Sequence, residues 1–178
     1  SIFTGTFATF IAVQHIWQVK TIWDSTTHFR FIEDGLYAQG VDKLGHVYGS
    51  YVMANFVKEG LYVSGFSENS AAIWSAVLGL SYSTYVEIMD GFGTNWGFSP
   101  SDWYCDATGA AFFLAQHYVP YLQNFTPKFI YYPGEWYGYH TRKEAKIFFD
   151  DYSGQNFSLS INIHNMLPDK AKKYWPDW

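Results

Sequence analysis

Four carboxylates stand in one otherwise uncharged stretch: Glu87, Asp90, Asp102 and Asp106 within YVEIMDGFGTNWGFSPSDWYCDATGA, residues 85–110. No Lys or Arg occurs between Glu59 and Pro127, so these acids have no basic neighbour in sequence. Upstream, Asp42, Lys43 and His46 form a second polar group in DKLGHVYGSY. Glu87 and Asp90 are spaced i, i+3, while Asp102/Asp106 and Asp42/His46 are spaced i, i+4, so each pair shares a face if its segment is helical. Convergence of three helix ends would bring Asp42, Lys43, His46, Glu87, Asp90, Asp102 and Asp106 together.

A buried carboxylate without a partner is too costly to keep ionised. Three solutions are open. Lys43 and His46 can supply charge and donors. One divalent cation can neutralise the acids, with His46, Glu87, Asp90 and Asp106 as its ligands; carboxylates plus one histidine suit Mg, Mn, Ca or Zn. A pair of acids can share a proton, as in general acid/base sites. Each residue also has a plainer role. Asp42 fits a helix N-cap, and Asp102 fits the third position of a helix. His46 fits a hydrogen-bonded core or surface histidine, and Glu87 and Asp90 fit a solvated loop. Asp106 resists such a role, because Ala107, Gly109, Ala110 and Ala111 after it point to close packing.

The elements that must position these groups are helical. The first helix is expected from about Gly5 to Trp23, followed by the polar connector DSTTHFRFIEDGLYAQG. A second is expected from an Asp42 N-cap, with Gly60 just past its end and Gly45, Gly49 and Ser50 as a strip for close helix approach. A third is expected to start at the N-cap Ser67 and end at Gly91 as its C′ residue. Ser99-Pro100-Ser101-Asp102 is a strong start for a fourth helix, which runs to about Val119 before Pro120.

After Pro127 the composition turns aromatic and rich in turn residues. TRKEAKIFFDDYSG suits a short amphipathic helix. In NFSLSINIHNML the residues Phe157, Leu159, Ile161 and Ile163 alternate with Ser158, Ser160 and Asn162, the period of a strand that would pair with FIYY or with another protein. The expected fold class is mainly α: a membrane-associated bundle of about four helices over residues 1–127, with a mixed C-terminal extension over residues 128–178 containing a short strand.

The 178 residues hold 11 basic and 16 acidic side chains, and no basic stripe beyond the small Lys170, Lys172, Lys173 cluster, so nucleic acid is not an expected partner. Aromatic residues make up 22% and charged residues 15%, where about 25% charged is usual, which implies a face toward lipid or a partner protein. The single Cys105 cannot form an intrachain disulfide. Residues 1–19 carry no charged side chain but are diluted by Thr4, Thr6, Thr9, Gln14 and His15, and suit a bundle helix, an interfacial helix or a polar span. The chain begins at Ser1 without Met, as a trimmed or processed product would. There is no thiol pair, GxGxxG, P-loop, GxSxG or HExxH motif.

DKLGHVYGSY followed by VEIMDGFGTNWGFSPSDWYCDATGA resembles the YfiM-type family of predicted bacterial envelope lipoproteins, a family of unknown function, and more distantly the VanZ-like membrane proteins. HFRFIEDG upstream and DDYSGQNFSLSIN downstream resemble the longer version found in Bacteroidota. The resemblance covers residues 42–110 firmly and extends over about 20–168. The family positions fall on Asp42, Lys43, His46, Glu87, Asp90, Ser99, Asp102, Asp106 and Gly109. Two departures stand out: Val86 replaces the lysine that precedes the family's glutamate, and no lipoprotein cysteine stands at the N-terminus of this sequence. The resemblance implies a location in the bacterial envelope, membrane-associated on the periplasmic side of the outer membrane. Membrane lipid and other envelope proteins are the implied partners. The expected function is an accessory or structural subunit of an envelope complex; the alternative is a metal- or acid/base-dependent enzyme acting on a lipid or cell-wall intermediate.

Overall fold

The computed structural model describes residues 2–133 and 151–176. Four long helices come first: α1 (Ile2–Thr21), α2 (Val41–Val63), α3 (Glu68–Phe92) and α4 (Pro100–Tyr118). Two strands follow, β1 (Phe125–Tyr131) and β2 (Gln155–Ile161), then the short helices α5 (Ile163–Met166) and α6 (Asp169–Lys172). The chain divides into two compact units, Ser1–Phe113 and Leu114–Trp178. The segment TRKEAKIFF lies outside the described residues, so the amphipathic helix expected there is not tested.

In the first unit, α2 and α3 form an antiparallel pair across a short turn. The Ser67 hydroxyl accepts the Ser70 N–H and caps α3, as expected. The Ser99 hydroxyl likewise accepts the Asp102 N–H at the start of α4. Three boundaries differ from expectation, each for a local reason. Asp42 is not the cap of α2: Gly40 holds that position in the left-handed region, φ 81°, and Asp42 lies in the first turn. Helix α2 runs through Gly60 to Val63, and the left-handed glycine that follows it is Gly65, φ 94°. Helix α3 runs past Gly91 to Phe92; Gly91 is there for space, since a Cβ would strike the ring of Phe29.

The interior is built from small side chains. Ala54, Ala71, Ala72, Ala76, Ala110, Ser50 and Ser75 are buried, together with Val57 and Phe113. Helices therefore approach closely. A Cβ on Gly79 would lie 3.3 Å from the Ala54 nitrogen of α2, and one on Gly109 would run into the Val47 carbonyl of α2. The expected close-contact strip on α2 is only partly used: Ser50 is buried, but the Cβ position of Gly49 has open space around it. Helix α1 meets α2 through Phe10 and Phe56, with ring centroids 6.3 Å apart, and meets α3 through a His15–Tyr85 hydrogen bond. Among the described residues no helix is long and apolar enough to cross a membrane, so the polar-span option for residues 1–19 falls away.

In the second unit β1 and β2 pair antiparallel, with Phe125 opposite Ile161, Pro127 opposite Leu159 and Phe129 opposite Phe157. The alternating segment does meet the FIYY stretch. The Phe129 and Phe157 rings pack at 5.1 Å, a cross-strand pair of the kind that stabilises a small sheet. The strand stops at Ile161; Ile163 opens α5, which Asn162 caps by accepting the Asn165 N–H.

Candidate functional site

The connector between α1 and α2 lies along the loop between α3 and α4. Thr27 N donates to Phe92 O, Arg30 N to Gly91 O, Ile32 N to Phe98 O and Phe98 N to Arg30 O, each at 2.8–2.9 Å. The Arg30 guanidinium donates to the carbonyls of Gly93, Thr94 and Trp96 at 2.9, 2.7 and 2.6 Å. Phe29, Phe31, Phe92 and Phe98 close over this junction. So fixed, the connector carries Asp34 to the N-terminal end of α4, where the Ser99 hydroxyl donates to Asp34 Oδ1 at 2.7 Å.

Lys43, on the first turn of α2, is the hub. Its Nζ donates to Asp34 Oδ1 at 2.6 Å, to Asp42 Oδ2 at 2.8 Å and to Asp102 Oδ1. An ammonium has three donors, and all three are used. Burial works against the charged form, yet the three carboxylates outweigh it and hold the lysine above its ordinary value. The same contacts, with the Ser99 hydroxyl, hold Asp34 below the usual carboxylate range against the opposing effect of burial.

One turn further along α2, His46 lies between four carboxylates. Its Nδ1 is 3.3 Å from both oxygens of Asp106 and 3.7 Å from Glu87 Oε1. Its Nε2 is 3.7 Å from Asp102 Oδ1 and 3.9 Å from Asp42 Oδ1. Burial disfavours the imidazolium, but Asp106, Asp102 and Asp42 prevail and raise the ring to about 10. Glu87 is only 2% exposed and is the largest of the fully buried side chains. The expectation of a solvated Glu87 is therefore overturned: the face of α3 that carries Glu87 and Gly91 turns inward here. Burial pushes Glu87 up to about 8, with Asp102 and Asp90 adding to the effect and His46 opposing it. Its Oε2 accepts the Ser99 N–H at 3.2 Å. Burial also raises Asp102 and Asp106.

Asp90 occupies the edge of the group. Its Oδ1 accepts the Trp23 indole N–H at 2.6 Å, and burial raises it to about 7 against that hydrogen bond and the nearby His46. Two sets of potential ligand atoms lie within 4.8 Å of one another: Asp42, His46 and Asp102, and His46, Glu87 and Asp106. Asp90, the fourth of the candidate ligands, is in neither.

The seven residues singled out in the sequence thus occupy one region where α2, α3 and α4 meet. Three more contribute that spacing did not single out: Asp34, Trp23 and Arg30. Only the acidic dipeptide Glu33-Asp34 before a glycine offered a signal for the first. In all, six carboxylates (Asp34, Asp42, Glu87, Asp90, Asp102 and Asp106) face two cationic side chains, Lys43 and His46.

Residues 30–117 match the model of a family described as "Predicted periplasmic lipoprotein (DUF2279)". The matched segment contains every member of the polar centre except Trp23. The match places the protein with the bacterial envelope, on its periplasmic side. Neither the comparison with curated proteins nor that with solved structures finds a match.

Proposed function

We propose that this protein is a membrane-associated accessory subunit of an envelope complex, facing the periplasm from the outer membrane. Its polar centre holds three helices and the connector in one arrangement, and its outer surface meets lipid and other envelope proteins. One observation carries this reading: a group of large apolar side chains on α3 lies outside while several carboxylates lie inside. Ile73, Trp74, Val77 and Leu78 of α3 are 45%, 53%, 46% and 37% exposed, in a stretch without a charged residue from 69 to 86. Such a surface marks an interaction site in a protein that must stay soluble at its other faces. Kinship with the YfiM-type lipoproteins, and more distantly with VanZ-like proteins, belongs to the same proposal and rests on DKLGHVYGSY and the 85–110 segment.

The test is isolation from native envelopes in mild detergent after crosslinking in cells. The expected result is a discrete species larger than the 20.5 kDa chain, with the same envelope protein in fixed ratio each time. A monomer that leaves the membrane fraction without detergent and crosslinks to nothing would remove the proposal.

A second reading is supported by a different observation. Glu87 and Asp90 are carboxyls raised to about 8 and about 7, beside an imidazole. Groups shifted toward neutrality by burial and neighbours suit acid/base work on a lipid or cell-wall intermediate. This reading expects Glu87→Gln to abolish turnover of such an intermediate while circular dichroism matches the parent. A Glu87→Gln protein with unchanged turnover would remove it.

A further inference from the structure

We propose that His46, Glu87 and Asp106 form a site for one divalent cation of the zinc class, with Asp42, Asp102 and Lys43 as its outer support. The inference goes beyond the accessory role and does not require catalysis. It begins with ligand geometry. A tetrahedral zinc ion with nitrogen and oxygen ligands at about 2.0–2.1 Å sets neighbouring ligand atoms roughly 3.3–3.4 Å apart. The His46 Nδ1 to Asp106 separation is 3.3 Å and the His46 Nδ1 to Glu87 Oε1 separation is 3.7 Å. Both are too long for a strong charge-assisted hydrogen bond, which closes to about 2.7–2.9 Å. They lie close to the spacing of ligand atoms around such an ion.

The second observation concerns Glu87 itself. It is 2% exposed, and its Oε2 is satisfied by the Ser99 N–H, while its Oε1 has no hydrogen bond among the described residues and faces into the cluster. Its partner there is His46 Nδ1 at 3.7 Å, beyond hydrogen-bond reach, and a cation between the two gives both a direct contact. The third observation is the far side of the imidazole. A metal-bound histidine presents its other ring nitrogen to a carboxylate, which fixes the tautomer and the ring. Here Nε2 is turned toward Asp102 and Asp42, and Lys43 holds both of those acids in place. Lys43 offsets part of the charge of the outer group, and a divalent ion would offset that of Glu87 and Asp106. Three protein ligands leave a fourth position for water. Asp90 is left out of the ligand set because it belongs to neither group of ligand atoms within 4.8 Å, and Trp23 holds its Oδ1.

The experiment uses the full chain, stripped with chelator and titrated with Zn²⁺ and, in parallel, with Co²⁺ as an optical probe. The expected result is one ion per chain and an intense visible Co²⁺ spectrum of the four-coordinate type. Glu87→Gln and Asp106→Asn should each weaken Zn²⁺ binding at least 100-fold, and Asp90→Asn by less than 5-fold. If the two ligand variants do not fold, X-ray absorption on the parent decides: one imidazole nitrogen with oxygen neighbours is expected. No binding at millimolar Zn²⁺, binding unchanged in folded Glu87→Gln and Asp106→Asn, or an ion shell with no imidazole or with several would each overturn the proposal.

Discussion

Gly109→Ala tests whether the polar centre depends on close contact between α2 and α4. An added Cβ at Gly109 would overlap the Val47 carbonyl oxygen and lie 3.0 Å from the Val47 carbonyl carbon and 3.1 Å from the Tyr51 nitrogen. All three atoms belong to the backbone of α2, so none can swing aside as a side chain would. The helices must separate by roughly 1 Å to restore ordinary contact. Overpacking of this kind costs about 1–3 kcal/mol. The same displacement pulls Asp106 from His46 and Asp102 from Lys43, adding about 1 kcal/mol or more per weakened contact. The better helix propensity of alanine returns about 1 kcal/mol. The net expectation is a loss of about 2–4 kcal/mol, or roughly 5–15 °C in midpoint for a chain of this size. Gly49→Ala is the matched control on α2. Its Cβ meets nothing within 4 Å, so the same substitution should stabilise by about 0.5–1 kcal/mol. Urea unfolding followed by circular dichroism reads both. Equal signs for the two variants, or a Gly109→Ala protein within about 0.5 kcal/mol of the parent, would refute close helix approach as the organising contact.

Lys43→Met should destabilise by about 3–5 kcal/mol, because it leaves the buried Asp42 and Asp102 and the half-buried Asp34 without their cation, whereas Lys58→Met should stay within about 0.5 kcal/mol. The latter loses only a 3.7 Å pair with the exposed Glu68; chemical denaturation of both gives the contrast. Trp23→Phe keeps the ring against Tyr85 but removes the indole donor to Asp90, for a loss of about 1–3 kcal/mol in the same assay. Asp34 supplies a pH signature. Its folded-state pKa lies below the ordinary 3.8, so the stability it confers is present above 3.8 and is lost as pH falls through the lowered value. The gap between parent and Asp34→Asn should stay flat from about pH 5 upward and close only in the acid range. A gap that closes between neutrality and pH 5 would mean that Lys43 does not hold Asp34 as described.

The starts of α3 and α4 were legible because Ser67 and Ser99 announce themselves through local hydrogen-bond chemistry that needs no tertiary partner. The β1–β2 pairing was legible because alternation in 157–163 has only one other apolar stretch nearby to answer it. The acids were legible as a puzzle, since a run without lysine or arginine cannot pair them locally. What pairs them was only half legible. Lys43 and His46 shared a helix face with Asp42, but Asp34 and Trp23 act across sequence gaps, with Trp23 meeting its partner 67 residues away. Connector residues 24–36 have no period, and nothing in their order shows that Arg30 pins them to the 93–96 carbonyls. Gly91 misled for a physical reason. A glycine selected for space, as at Gly91 beneath Phe29, looks in sequence like a glycine selected for a left-handed turn. Among the described residues the left-handed glycines are Gly40 and Gly65.

The interior of the first unit departs in part from the usual division of labour. In most domains large apolar side chains fill the centre and charge covers the outside. Here Glu87, Asp102 and Asp106 are buried beside Trp23, Val57 and Phe113, and Trp74, Ile73 and Val77 lie outward. A centre made of charges is held by partners rather than by area removed from water, so its stability is sensitive to single groups. Removing Lys43 or the proposed ion exposes several carboxylates to mutual repulsion at once. An outside made of apolar side chains depends on what covers it. The two features therefore separate experimentally. Detergent or lipid should raise the stability of Gly109→Ala and parent alike, because both keep the α3 face. Zn²⁺ should raise the stability of the parent, but much less that of Gly109→Ala, in which α4 has moved Asp106 away from His46. If lipid rescued the variant's zinc affinity as well, the surface and the centre would be one cooperative system rather than two.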